Sequence, residues 1–576
     1  MGEHMWTTWV ENEALDPTVR SELQELIDAG QQVALEESFA QNLRFGTGGM
    51  REKMGPGTNR MNIYTVRKAS YGVAQWIRQT RPKQMWKIAI GYDGRRDSKR
   101  FAHEVACVAA ACGIRAYLFI KASPTPFLSF AVRELTCGAG VMVTASHNPA
   151  EYNGYKVYDS EGGQVLEADA EQIMTEMNQC MDLFSIPVLT EQDARRSDLI
   201  HEVGSELETA YYRYLQPLLQ VESAAKKSEL TIVYTPLHGT GAQPVMTALR
   251  NAGYERVVAV EAQMALDAKF THVQSPNPED GVAYREAMQV AHSVNADIIL
   301  ATDPDCDRVG LMVKERDSEY TLLTGNEVGG LLLYDLLEHH RAERIHMTEP
   351  MAITTIVSSD FGEDVAASYG VRTERVLTGF KYIGAKIAQY ERTGQQTFVF
   401  GYEESVGYLP LPFVRDKDAV QAAVAIANLA VRCKHEAGSV RAQLEQLYKR
   451  FGYYKDHLAG YQFVGRNGNE RMKSLMEDFR ERGIQAEGLD LEYEEDYQSL
   501  RRRNARTLEE TPLHLPMSNV VKFRFANGDW IAVRPSGTEP KLKVYIGVKG
   551  STNEEAEHRR RQFRQVVEAR IAPYLN

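Results

Sequence analysis

The strongest constraint on this chain is a rhythm. Short apolar runs alternate with helical stretches, and several runs break off abruptly into polar loops. Residues 86–91, 116–120 and 139–143 are such runs, separated by helical patterns over 98–112 and 127–134. A β-α-β-α-β order predicts a mixed or parallel sheet with helices covering it. The rhythm restarts at 230–234 and continues through 257–260, 296–301 and 309–313. It returns at 351–357, 371–377 and 397–400. Alternation over 520–525, an Asn527-Gly528-Asp529 hairpin turn, further strands over 530–533 and 543–548 and a closing helix over 552–572 lack the βαβ order, which predicts a smaller α+β unit.

A chain of 576 residues is too long for one core. The expected division is a helical N-terminal extension (1–40), three related α/β domains with mixed sheets (41–215, 216–324 and 325–455) and a C-terminal α+β domain (456–576), with a linker near 450–460. Formal net charge is -12 and no long Lys/Arg block occurs, which argues against a nucleic-acid surface. Six scattered cysteines without a CxxC pair indicate reduced thiols. No apolar signal segment or run of membrane-spanning length is present. A cytoplasmic monomer or weak dimer acting on a small molecule, with no nucleic-acid or membrane partner, is expected.

Open α/β sheets bind ligands at the carboxyl ends of their strands, so the polar loops there hold the candidate chemistry. The run 140–143 ends in Thr144-Ala145-Ser146-His147-Asn148-Pro149, which delivers a serine with histidine beside it. Asn153-Gly154 reads as a hairpin turn, and the strand returning from it would carry Lys156 back toward that serine. Arg44-Phe45-Gly46-Thr47-Gly48-Gly49-Met50-Arg51 is glycine-dense enough for backbone amides to approach an anion, with Arg51 adding charge. Asp303-Pro304-Asp305-Cys306-Asp307-Arg308 puts three carboxylates at alternate positions between two apolar strands. Such crowding is costly without a cation, and small hard oxygen donors suit Mg²⁺. Gly401-Tyr402-Glu403-Glu404-Ser405 has the groups to hold sugar hydroxyls. Lys417 stands near a helix start, where a cation is electrostatically unhelpful, so it fits an anion-binding task. Arg534-Pro535-Ser536-Gly537-Thr538-Glu539-Pro540-Lys541 combines cations, hydroxyls and glycine as a phosphate cradle would. Taken singly, each loop also reads as a solvated turn.

The four principal loops, in this order, closely resemble those of the α-D-phosphohexomutase superfamily of phosphoglucomutases and phosphomannomutases. The resemblance spans all but about the first 40 residues. It implies a heart-shaped four-domain molecule around a central cleft. It implies that Ser146 is a phosphoserine whose phosphate completes the coordination of one Mg²⁺ by Asp303, Asp305 and Asp307. Arg51, Lys156, His147 and Arg308 would steady the phosphate and assist proton transfer. Glu403 and Ser405, with Thr378 and Gly379, would meet the sugar. Arg534, Ser536, Gly537 and Thr538 would bind the non-reacting phosphate, with Lys417 reaching into the same pocket. The implied activity is Mg-dependent interconversion of α-D-glucose 1-phosphate and glucose 6-phosphate through glucose 1,6-bisphosphate. The paired glutamates resemble the glucose branch of the family, and the length and the 44–51 segment resemble a long bacterial branch that also holds phosphopentomutases. Phosphomannomutase and phosphopentomutase are the alternatives, with a sugar phosphatase or a non-catalytic sugar-phosphate-binding protein further off. Cys306 stands where alanine is common in the family, which makes an oxidation-sensitive metal loop an expectation.

Overall fold

In the computed structural model the described residues are 3–46, 49–180, 182–219, 221–316, 318–463, 467–485, 488, 490–536 and 541–575. The apolar runs 86–91, 139–143 and 296–301 give strands buried on both faces, as the inner strands of such sheets require, whereas 257–260 and 371–377 give half-buried edge strands. The first sheet contains β1 (Gly49–Lys53), β2 (Lys87–Tyr92), β3 (Arg115–Phe119), β4 (Ala139–Val143), β5 (Tyr152–Tyr158) and β6 (Ile200–Val203), in the order β1-β5-β4-β2-β3-β6. Every residue of β4 is buried. β2 is parallel to β3 and β4, and β5 runs antiparallel between β4 and β1.

Asn153 and Gly154 therefore lie inside a strand and not in the expected hairpin turn. Gly154 is needed there because a Cβ would sit 2.4 Å from the Thr144 carbonyl oxygen and 2.9 Å from that of Met50. The preceding extension folds as three helices, Glu3–Glu11, Pro17–Asp28 and Gln32–Phe39. Trp9 joins it to the first sheet's helix Ile63–Thr80, edge-on to both Phe39 and Tyr64.

The second sheet comprises β7 (Ile232–Thr235), β8 (Val257–Ala259), β9 (Ile298–Thr302), β10 (Val309–Lys314) and β11 (Tyr320–Leu322), ordered β11-β10-β9-β7-β8. β9 and β10 form an antiparallel pair with Thr302 opposite Val309, so the acidic motif is the loop of a hairpin. Next come β12 (Pro350–Thr355), β13 (Arg372–Val376) and β14 (Thr397–Glu403), with β12 parallel to both of the others. A short β15 (Gly407–Leu409) and the helix Ala419–Glu436 follow.

The C-terminal sheet is antiparallel: β16 (Tyr453–Gln462), β17 (Leu491–Asp496), β18 (Arg501–Asn504), β19 (Glu510–Pro512), β20 (Val521–Phe525), β21 (Trp530–Pro535) and β22 (Lys541–Gly550). Helices Gly468–Arg482 and Asn553–Leu575 contribute to its core through Leu475, Phe479, Phe563 and Val567, packed with Phe523, Ile531 and Val544. The linker expected near 450–460 is β16. Its Lys455, Asp456 and His457 are only half-buried, so no apolar run marks it.

The chain sorts into two compact units. The first holds residues 1–323, 380–394 and 406–435; the second holds 324–379, 395–405 and 436–576. Among the described residues no helix is long and apolar enough to cross a membrane.

Candidate active site

In the first unit, β4 ends at Val143 and the next three residues turn sharply. Ser146 adopts a left-handed backbone (φ 51°) and is buried. That conformation is uncommon for a residue bearing a side chain, and a dense polar frame imposes it. The Thr144 hydroxyl accepts the Ser146 N–H at 2.9 Å and donates to Asp93 at 2.7 Å. Asp93 stands at the carboxyl end of β2 and also accepts from Ser98. The guanidinium of Arg95, two residues on, donates to the carbonyls of Ser146, Asn148, Pro149 and Tyr152. One buried cation thus organises the backbone around the serine. Asp93 and Arg95 were not among the expected site residues, although the polar tetrapeptide Tyr92-Asp93-Gly94-Arg95 at a strand end was the available signal.

Held this way, the Ser146 hydroxyl donates to Asp303 Oδ2 at 2.6 Å and lies 3.2 Å from His147 Nδ1. Asp303, Asp305 and Asp307 converge, each offering a carboxylate oxygen within 4.8 Å of the others, and all three are buried. Two like charges about 4 Å apart repel by roughly 4 kcal/mol at an effective dielectric near 20. Burial, reinforced by the neighbouring charges of Asp305 and Asp307, pushes the Asp303 carboxyl well above its usual range. Burial also works against ionised Asp305, but Lys156 and further hydrogen bonds outweigh it and hold that carboxyl below the ordinary value.

Lys156, on β5, places Nζ 2.6 Å from Asp305 and 3.2 Å from Asp307. Thr125 adds a hydroxyl donor to Asp305 at 3.0 Å. Asp305 Oδ1 and Asp307 Oδ1 remain buried without a hydrogen-bond partner among the described residues. Orphaned hard oxygens beside a serine hydroxyl fit a divalent cation.

The other expected groups of this unit are placed as follows. Arg51, on β1, is exposed and donates to Asn148 Oδ1 at 2.9 Å. Arg308 pairs with Glu279 at 3.3 Å, its Nε 3.8 Å from Asp307. Lys417 sits 3.2 Å from Asp307 and 3.0 Å from Asp416, which is itself held by Tyr158 and Gln164. Its amine thus stands beside the carboxylate cluster. Cys306 is fully buried and burial pushes its thiol well up, which argues against the expected oxidation sensitivity.

In the second unit Glu403 Oε1 accepts the Gly379 N–H at 2.7 Å, and Gly379 has φ 123°, where a side chain would be strained. The neighbouring Thr378 hydroxyl is buried. Glu404 Oε2 accepts from Thr355 at 3.0 Å and Ser358 at 3.4 Å. Ser405 follows directly and is half-buried. Burial raises the Tyr545 phenol on β22, Glu404 adds to the rise and Arg534 opposes it. Ser536 closes on the Lys541 carbonyl at 2.6 Å. Gly537 and Thr538 lie outside the described residues.

These features define a phosphoryl-transfer fold with a buried serine facing a carboxylate triad, and comparison with known proteins places it. Models of the phosphoglucomutase/phosphomannomutase α/β/α domains I, II and III match residues 42–182, 209–316 and 324–451, and that of the C-terminal domain matches 494–565. The chain belongs to the phosphoglucomutase/phosphomannomutase family. It is 36% identical over 516 residues to a phosphoglucomutase of Staphylococcus haemolyticus, covering 89% of this chain and 91% of the relative. Against a phosphoglucomutase of Staphylococcus aureus it is 35% identical over 544 residues, covering 94% and 95%. Among solved structures, a family member from Burkholderia thailandensis shares the fold with a TM-score of 0.66 at 15% identity, covering 92% of this chain and 98% of that one. The open form of a Paramecium phosphoglucomutase does so with a TM-score of 0.66 at 16% identity, covering 93% and 95%.

Proposed function

We propose that this chain is a phosphoglucomutase, interconverting α-D-glucose 1-phosphate and glucose 6-phosphate through a phosphorylated Ser146 and a glucose 1,6-bisphosphate intermediate. The carrying observation is the Ser146 hydroxyl donating to a member of a buried aspartate triad that retains unsatisfied oxygens. A free serine hydroxyl is a weak nucleophile, and a phosphoryl group on it needs compensating positive charge.

Asp303, Asp305 and Asp307 would hold Mg²⁺, which when bound neutralises charge on the transferring group. Phosphoserine 146 gives its phosphoryl group to the free hydroxyl of the sugar phosphate. The P–O bond to Ser146 Oγ breaks as the bond to the sugar oxygen forms. The bisphosphate then turns around and returns its other phosphoryl group to Ser146. His147 and Lys156 are the groups assigned to move the hydroxyl proton, and proton transfer of this kind contributes about 10²–10⁴-fold. Arg51 and Arg308 supply further positive charge. Glu403, Ser405, Thr378 and Gly379 take the sugar hydroxyls; Arg534, Ser536, Gly537 and Thr538 take the non-reacting phosphate, and Lys417 steadies the reacting one. The family relatives' shared name supports the choice of glucose.

Intact mass with and without phosphatase treatment, combined with rates on glucose, mannose and ribose 1-phosphates, tests this reading. A Ser146-dependent mass change near 80 Da, the mass of one phosphoryl group, and fastest turnover of glucose 1-phosphate are expected. Sustained phosphate release without isomer would make it a phosphatase, and a clearly higher kcat/KM on another sugar would move the substrate assignment.

A further inference from the structure

Position 522 on β20 is a core position of the C-terminal sheet, between buried Val521 and Phe523, yet it carries a lysine that is 1% exposed. Burying an ammonium is expensive unless it is paired or hydrogen-bonded. Among the described residues, the hydrogen-bond partner of the Lys522 amine is the backbone carbonyl of Ile356, in the turn after β12. The stem lies over Trp530, with Nζ 4.3 Å from the ring centroid. Burial first, then Arg524 and Arg375, push the amine well below the usual lysine range, against the pull of Asp360 and Glu495.

The turn it holds is gripped from a second side. Arg375 on β13 donates to the carbonyls of Thr355 (3.2 Å) and Ser358 (3.0 Å). Three carbonyls of one short turn are therefore fixed by two basic side chains, one from the third sheet and one from the C-terminal sheet. With its backbone fixed, the turn directs the Thr355 and Ser358 hydroxyls onto Glu404 Oε2, and these hydroxyls also lie 2.9 Å from each other. Glu404 stands between Glu403 and Ser405, the pair assigned to the sugar.

We propose that Lys522 is a positioning residue for sugar recognition: through the Ile356 carbonyl it sets the turn whose hydroxyls orient Glu404, linking the C-terminal sheet to the sugar-binding loop. The inference rests on the assignment of residues 403–405 to the sugar, and it adds a determinant about 120 residues further along the chain. Lys522→Met keeps the volume and the contact with Trp530 but removes the donor.

The test is a double-mutant cycle of Lys522→Met and Thr355→Val, run with whichever sugar phosphate the wild-type enzyme turns over fastest. A wrong sugar assignment then shows in the wild type, and a wrong role for Lys522 shows only in the cycle. Each single substitution is expected to raise KM by about tenfold with a smaller change in kcat, the scale of one lost buried hydrogen bond. The double variant should be no worse than the poorer single one, because both act on Glu404. Unchanged KM in folded Lys522→Met, or effects that multiply in the double variant, would overturn the proposal. Should Lys522→Met not fold, unchanged KM in Thr355→Val overturns it equally, since the same chain of contacts is cut at its other end.

Discussion

Ser146 and Gly154 show how single residues set this chemistry. The serine's left-handed backbone presents its hydroxyl to Asp303, and the absent side chain of Gly154 lets β5 pass beneath the serine loop. Gly154→Ala is expected to destabilise the protein by about 1–3 kcal/mol, the usual cost of overpacking, because the obstructing atoms are backbone. Thermal melts would register it, and Ser146-dependent turnover should fall with it. Arg95→Met removes four hydrogen bonds to the loop backbone while leaving Ser146 in place. A loss of about 10²-fold in kcat, the scale of a small misplacement of reacting groups, is expected with little change in KM. Cys306 should resist alkylation in the native enzyme and react only on unfolding, which mass spectrometry after iodoacetamide would show. Alkylation of Cys306 with retained structure would contradict the burial seen here.

Secondary elements were legible where the residues themselves carry the signal. β4 and β9 end in the loops that the apolar runs pointed to, since an apolar strand cut off by polar residues leaves little choice of fold, whereas β14 runs on to Glu403, three residues into the expected loop. β6 and β16 were not legible. β6 is four residues long with His201 and Glu202 at its middle, and β16 is half-buried with charged residues facing partners rather than water. β17, β18 and β19 carry no apolar run, and their stabilising pairs, such as Arg502–Glu495 and Arg503–Glu494, are cross-strand and invisible before the register is known. The acids of the metal loop were legible as a group, whereas Asp93, Arg95 and Asp416 join them only through tertiary contacts. On β16, burial first, and then the charges of Glu327 and Asp360, raise Asp456 to about 7 against the donation from Asn326. The folded state then keeps a proton that the unfolded chain has lost, so stability falls as pH rises from near 4 to 7 and levels off above. Asp456→Asn should flatten that slope and raise the melting temperature most at neutral and alkaline pH; a parallel displacement at all pH values would show that Asp456 does not titrate in this window.

At the scale of the whole molecule, cation binding and folding are linked. The triad draws three carboxylates together only in the folded first unit, so a cation that binds there stabilises the native state by mass action, by about 2.7 kcal/mol at a hundredfold excess over Kd. Chelation should therefore lower the melting temperature, and Asp305→Asn should abolish that response; equal responses in wild type and variant would place the stabilising cation elsewhere. The division of the chain between two units has a consequence for how the protein is made. Residues 380–394 and 406–435 belong with the first 323, while the stretches between them belong with the C-terminal part. During synthesis the nascent chain cannot complete its first unit when residue 323 leaves the ribosome, because Lys417 and Asp416 are still to come. The acidic loop must wait, partly unneutralised, for its lysine. A single cut at any one point leaves at least one unit without part of its own chain.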